Sequence, residues 1–260
     1  GNIQGFSDSS AAVFGNPASL HSVKTFSLDV FSSTVFSEVT YQSISLAFPL
    51  LKGTVGIGYM SSGVEDIPLT FLDSNNFVQT NGSFSSKSIL GKVSYAFPIA
   101  LPLVSHSYLS LGGTYYTTSI HTTKGDGWST DLGLYSRVYQ SEQAEDIYVD
   151  MSLFANNLYP YQKKVVYTDT ADTSYSAQET LPLNISLGLK GQLMDLAVYV
   201  QGKRDAKNTL VSGAIRYRPS FLGLISFSGG YKEFSVFSDR KNSVTLGTGI
   251  HLGAIDFYYA

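Results

Sequence analysis

From residue 25 onward the chain alternates apolar and polar residues with a period of two, segment after segment. Successive side chains of a β-strand point to opposite faces, so this alternation gives each strand one apolar and one polar face. Within 183–190, Leu183, Ile185, Leu187 and Leu189 share one face, and Asn184, Ser186, Gly188 and Lys190 share the other. The pattern recurs with Ile147, Val149, Met151 and Leu153 against Tyr148, Asp150 and Ser152, and with Leu196, Val198 and Val200 against Ala197, Tyr199 and Gln201. No amphipathic helical stretch competes with it, so the chain reads as all-β.

An apolar face on nearly every strand of a 260-residue chain must be covered by something. A membrane helix needs about 20 consecutive apolar residues, whereas the most apolar run, 97–104, is interrupted by Pro98 and Pro102. Helical spanning is excluded. A membrane strand needs only about 9 to 11 residues and dilutes its hydrophobicity with inward polar positions. That dilution accounts for 43% hydrophobic residues alongside only 14% charged ones. A net charge of −3 without any Lys/Arg run leaves no footprint for nucleic acid. The absence of Cys removes disulfides and thiolate metal sites. The opening GNIQGFSDSS has no basic region followed by an apolar one, so an exported chain of this sequence reads as the mature form.

Thirteen candidate strands lie near 25–33, 40–49, 53–62, 83–98, 106–118, 127–140, 146–156, 181–191, 194–202, 209–218, 222–233, 243–251 and 254–260. The links between them alternate in length. Tight turns at 50–52, 192–193, 219–221 and 252–253 fall on one end, and the longest links, 63–82 and 157–180, on the other. Membrane barrels sort their connections in this way, with short periplasmic turns and longer outer loops. Single-chain bacterial barrels also close on an even strand number. The expectation is therefore an antiparallel transmembrane β-barrel of about 14 strands whose final strand is missing or short. Aromatic residues toward segment ends, among them Tyr41, Phe48, Tyr59, Phe97, Tyr116, Tyr139, Tyr217, Tyr231, Phe257 and Tyr259, suit the head-group region.

Residues 1–22 do not alternate and are rich in small side chains, ending in Asn16-Pro17-Ala18-Ser19-Leu20. The stretch SSAAVFGNPASL resembles the FadL-like outer-membrane superfamily, particularly its PorV/PorQ branch and related spirochaete and Thermotogales barrels, in which a small-residue run ends in Asn-Pro-Ala-Gly-Leu. Further pieces are similar in order down the chain: SEVTYQSISLAFPLLKGTVGIGYMSSG, GWSTDLGLYSR, MSLFANNLYPY, LPLNISLGL and SVTLGTGIHLGAIDFYYA. Ser19 stands where the family has Gly. The resemblance implies that 1–22 form a plug or hatch, with Asn16, Pro17, Ala18 and Leu20 inside a barrel formed by 23–260. Pro17 would fix the local backbone there, and Asn16 would cap it through its side-chain amide.

The polar strand faces carry Asp29, Lys92, Asp131, Arg137, Asp150, Lys190, Arg216 and Arg218, read as lumen-facing charges of mixed sign suited to internal pairing. Catalysis has little support. His21, His106, His121 and His251 stand alone in sequence, without the spacing of a metal set, and Ser is too abundant to mark a nucleophile. The chain reads as a non-enzyme with no cofactor, no metal site and no catalytic residue.

Three roles stay open for a multi-pass protein of the bacterial outer membrane. The first, implied by the FadL resemblance, is passage of small hydrophobic molecules, which predicts an apolar pocket beneath the plug. The second, implied by the PorV/PorQ branch, is docking of envelope or secreted proteins at the outer loops. The third is a structural envelope barrel. The expected partners are outer-membrane lipid, a hydrophobic small molecule in the lumen and envelope or secreted proteins, with no nucleic acid.

Overall fold

The computed structural model describes residues 4–35, 38–102, 104–159, 163–168, 174–179, 182–204, 208–235, 243–252 and 255–259. Three short 3₁₀ turns, Gln4–Phe6, Ser10–Phe14 and Pro17–Ser22, precede fifteen strands. These are β1 (Ser27–Val35), β2 (Val39–Leu50), β3 (Gly53–Leu72), β4 (Val78–Leu101), β5 (Val104–Ile120), β6 (Thr123–Gln140) and β7 (Ile147–Asn156). They continue as β8 (Lys163–Thr168), β9 (Ser174–Glu179), β10 (Asn184–Leu193), β11 (Leu196–Arg204), β12 (Thr209–Tyr217), β13 (Ile225–Ser235), β14 (Ser243–Leu252) and β15 (Ile255–Tyr259). Each pairs antiparallel with its sequence neighbour, except that β7 pairs with β10, while the β8–β9 hairpin hangs on β6 through Lys124 to Asp126. The ladder from β1 to β15 thus holds thirteen strands among the described residues, and an odd count makes β1 and β15 run in the same direction.

The sheet curls around residues 4–22. Laid flat, the nine steps from β1 to β12 would separate those strands by roughly 43 Å at the usual inter-strand spacing. Yet Asp29 of β1 accepts a hydrogen bond from the backbone N–H of Ala11 at 3.1 Å, and Arg216 of β12 pairs with Asp8 at 3.2 Å. Three residues of chain reach at most about 11 Å. The two strands are therefore brought to opposite sides of one short segment, as a barrel requires.

Side-chain direction follows the alternation. Gly56 and Gly58 of β3 face the N-terminal segment, and Val55, Ile57 and Tyr59 face away. The outward row is exposed almost all round: Val30, Ile57, Val93, Leu187, Val200 and Leu246 are each between 43% and 76% accessible. The inward row is polar and buried, with Ser45, Ser94, Ser110, Ser152, Ser186 and Gln201 all at 2% or less. This polarity is the inverse of a water-soluble sandwich, whose apolar faces meet in a core. The aromatics divide between the two rows: Tyr116 is buried on the inner face rather than placed at a rim, whereas Tyr59 and Phe257 point outward.

Two links expected as loops are structured. In 63–82, β3 and β4 continue as a hairpin to the turn at 73–77, and 157–180 contains β8 and β9. The extension of β3 and β4 shows no clean alternation, because a hairpin wet on both faces has no apolar face to encode. The Asp73 carboxylate holds the β3–β4 turn: Oδ1 accepts from the N–H of Asn75 at 2.8 Å and of Phe77 at 2.9 Å. These two bonds, that from Phe77 first, hold the Asp73 carboxyl below its ordinary range. A carboxyl lowered in the folded hairpin contributes order above the ordinary carboxylate range and loses it as pH falls through the lowered value. Amide exchange at Asn75 and Phe77 is therefore expected to be slow at neutral pH and to accelerate, relative to intrinsic exchange, on acidification below that range. In an Asp73→Ala chain the protection should be lost at every pH.

Candidate functional site

Asn16 is the centre of the N-terminal packing. The glycine before it and the proline after it give an extended residue that caps the turn Pro17–Ser22, with Oδ1 accepting from the Ala18 N–H at 3.0 Å. The same amide donates through Nδ2 to Leu134 O of β6 at 3.1 Å and Ser152 Oγ of β7 at 2.8 Å. One fully buried side chain thereby satisfies both its donors and its acceptor. Around it, Gly5 N–H donates to Gln201 Oε1 of β11 at 3.0 Å, and Ser19 Oγ donates to Gly5 O at 2.7 Å, so the serine in place of glycine ties two parts of the segment together. Ser10 Oγ donates to the Asp29 carboxylate of β1 and accepts from Ser45 Oγ of β2 at 3.0 Å.

Close approach explains the small residues of the inner wall. A Cβ on Gly133 would lie 2.1 Å from Asn16 Oδ1 and 2.5 Å from Ser110 Oγ, distances no real atom tolerates. Gly56 and Gly58 admit Leu20, Val13 and Phe14 in the same way. Ala12, Leu20, Val23, Ala47 and Ala96 form a small apolar core between the segment and β2 and β4. His21 stacks on Tyr108, centroids 4.1 Å apart, and its Nδ1 donates to Ala18 O at 2.9 Å. Burial pushes its imidazole down to about 4, which keeps the ring neutral.

Two buried ion pairs stand on the inner face among the described residues. Lys92 meets Asp131 at 2.8 Å, and Asp131 also accepts from Thr114 Oγ1 and from the Asn157 N–H. Arg137 meets Asp150 at 2.8 Å while Tyr135 OH donates to the same carboxylate at 2.5 Å. Arg137 also lies over the Tyr148 ring, and Lys190 Nζ donates to Tyr148 OH at 3.1 Å. Arg218 falls one residue beyond β12, in the turn, where its guanidinium donates to Gly223 O at 3.1 Å.

Two openings flank the segment. At the end of the short turns, a cavity of about 370 Å³ is bounded by Asp8, Arg216, Arg218, His251, Asp256 and Tyr258. Toward the long hairpins, a smaller niche of about 180 Å³ is bounded by Phe31, Val35, Tyr41, Ser43 and Met60. By the alternation that turns Asp29, Ser45 and Gly58 inward, Phe31, Ser43 and Met60 occupy the next inward positions and Tyr41 the one beyond Ser43. The apolar space therefore lies on the hairpin side of the segment, and the space on the short-turn side is polar, the reverse of the sequence expectation. The histidines are not all isolated either. His251 Nδ1 donates to Asp256 Oδ1 at 2.8 Å, and Ser226 Oγ lies 2.9 Å from His251 Nε2. No spacing in the sequence marks that trio, because it forms across three strands.

In fold the chain is similar to a solved TodX monoaromatic hydrocarbon channel, a deltaS2 mutant. The TM-score is 0.59 at 10% identity, over 94% of this chain and 85% of that chain. At this identity the likeness is one of fold. No family model matches the chain, and no curated protein does.

Removing the Asn16 amide leaves buried partners unsatisfied, so Asn16→Ala is expected to cost about 1–3 kcal/mol, read from chemical unfolding in detergent. Gly133→Ala should leave the strands intact and expel the segment. Limited proteolysis within 4–22 would then be faster than in the parent chain, and equal rates would contradict the packing described above.

Proposed function

We propose that this chain is an outer-membrane β-barrel channel for small hydrophobic molecules, closed by residues 1–22 acting as a plug. The niche of Phe31, Tyr41 and Met60 beside that segment carries the reading, since it offers an apolar resting place on an otherwise polar inner wall. The fold of a monoaromatic hydrocarbon channel supports it, as does an outer face so apolar that a bilayer is its natural cover. Movement of the segment would join the niche to the cavity at the other end.

Uptake of a labelled monoaromatic hydrocarbon by cells expressing the barrel tests this reading. Met60→Lys should lower uptake about tenfold, the effect of roughly 1.4 kcal/mol. Uptake no greater than in cells without the barrel would overturn it. Leu187→Arg, outward on β10, should cost about 2–4 kcal/mol in lipid vesicles, and an unchanged stability there would remove the bilayer from the reading.

Docking of an envelope or secreted protein is a second reading, favoured by the tip of the β3–β4 hairpin. Phe71, Leu72, Phe77 and Val78 are between 49% and 69% exposed there, at the end of strands of 20 and 24 residues. Those strands are about twice the length a bilayer needs. A stoichiometric partner in native membranes, lost on Phe77→Asp, is the expected outcome of that reading.

A further inference from the structure

We propose that Ser226, His251 and Asp256 form a serine-esterase site at the short-turn mouth of the barrel, acting on small carboxylic esters. His251 of β14 stands opposite Asp256 of β15, and Ser226 of β13, opposite Gly249, reaches His251 diagonally. The hydrogen bonds assign the roles. A carboxylate only accepts, so Asp256 requires the proton on His251 Nδ1 at 2.8 Å, which leaves Nε2 free to accept from Ser226 Oγ at 2.9 Å. That is the tautomer a general base needs, with the acid orienting the ring.

The surroundings suit the chemistry. His251 and Asp256 line the cavity of about 370 Å³, and Ser226, buried one hydrogen bond behind His251, is reached from it past the imidazole. A Cβ at Gly249 would stand 2.6 Å from Ser226 Oγ, so the glycine keeps the hydroxyl's space clear. Arg216 and Arg218 line the same cavity. Each guanidinium carries five N–H groups, more than Asp8 and Gly223, their partners among the described residues, occupy, which leaves donors for a developing oxyanion. Ser226 Oγ attacks the ester carbonyl carbon as its proton passes to His251 Nε2. The bond to the alkoxy oxygen breaks, and that oxygen leaves as the alcohol with the proton from Nε2. Water, deprotonated by Nε2, then releases the carboxylic acid and restores the serine.

The test uses the purified full chain in detergent, where labelling needs no permeation and so stands apart from the channel reading. A fluorophosphonate probe should form an adduct that mass spectrometry places on Ser226, and p-nitrophenyl butyrate should be hydrolysed. Ser226→Ala should abolish both. Asp256→Asn, which disturbs the tautomer, should slow both by about 10²-fold or more, and Gly249→Ala should block the probe. An unlabelled native chain, or an adduct on any serine other than Ser226, would overturn the proposal whether or not the variants fold.

Discussion

The hydrogen bonds between residues 5–16 and the inner wall hold together parts of the sheet that are far apart along the ladder. Asp8 meets β12, Ser10 and Ala11 meet β1, and Asn16 joins β6 to β7. A wall one strand thick has no second layer to cover its inner face, so every inward polar group depends on water, a neighbour on the wall or the segment itself. The segment takes much of that duty. It also sets the size of the inward side chains, which is why serine and glycine recur where Leu20, Phe14 and Asn16 press against the wall.

The paired charges have a related logic. Asp131 and Asp150 are almost wholly buried, and each is met by a cation and by a hydroxyl or amide donor. A carboxylate in that position is tolerable only when its lone pairs are filled. These networks stiffen β4 to β7, the stretch of wall on which Asn16 sits. From β10 to β15, Arg216 reaches an exposed Asp8, and the polar cavity opens there. The two openings thus fall on opposite sides of one tethered segment.

Much of this was legible from residue order, and the failures were specific. Thirteen strands in the ladder and the sorting of tight turns to one end follow from residue order, since alternation reports the face of a side chain directly. The hairpin extensions of β3 and β4 escaped because they carry no apolar face. Tyr116 was misplaced because an aromatic residue suits either face of a strand, and only the wall around it decides which.

The sequence by itself determined the class of fold, the face of most side chains and the presence of a non-alternating segment ahead of the first strand. Tertiary structure alone decided which inward residues meet. Phe31, Tyr41 and Met60 come from three strands, as do Ser226, His251 and Asp256. Their encounters depend on register between strands, a non-local property that no local spacing encodes. With serine at so many inward positions, the one beside His251 is singled out only when β13 and β14 are laid side by side.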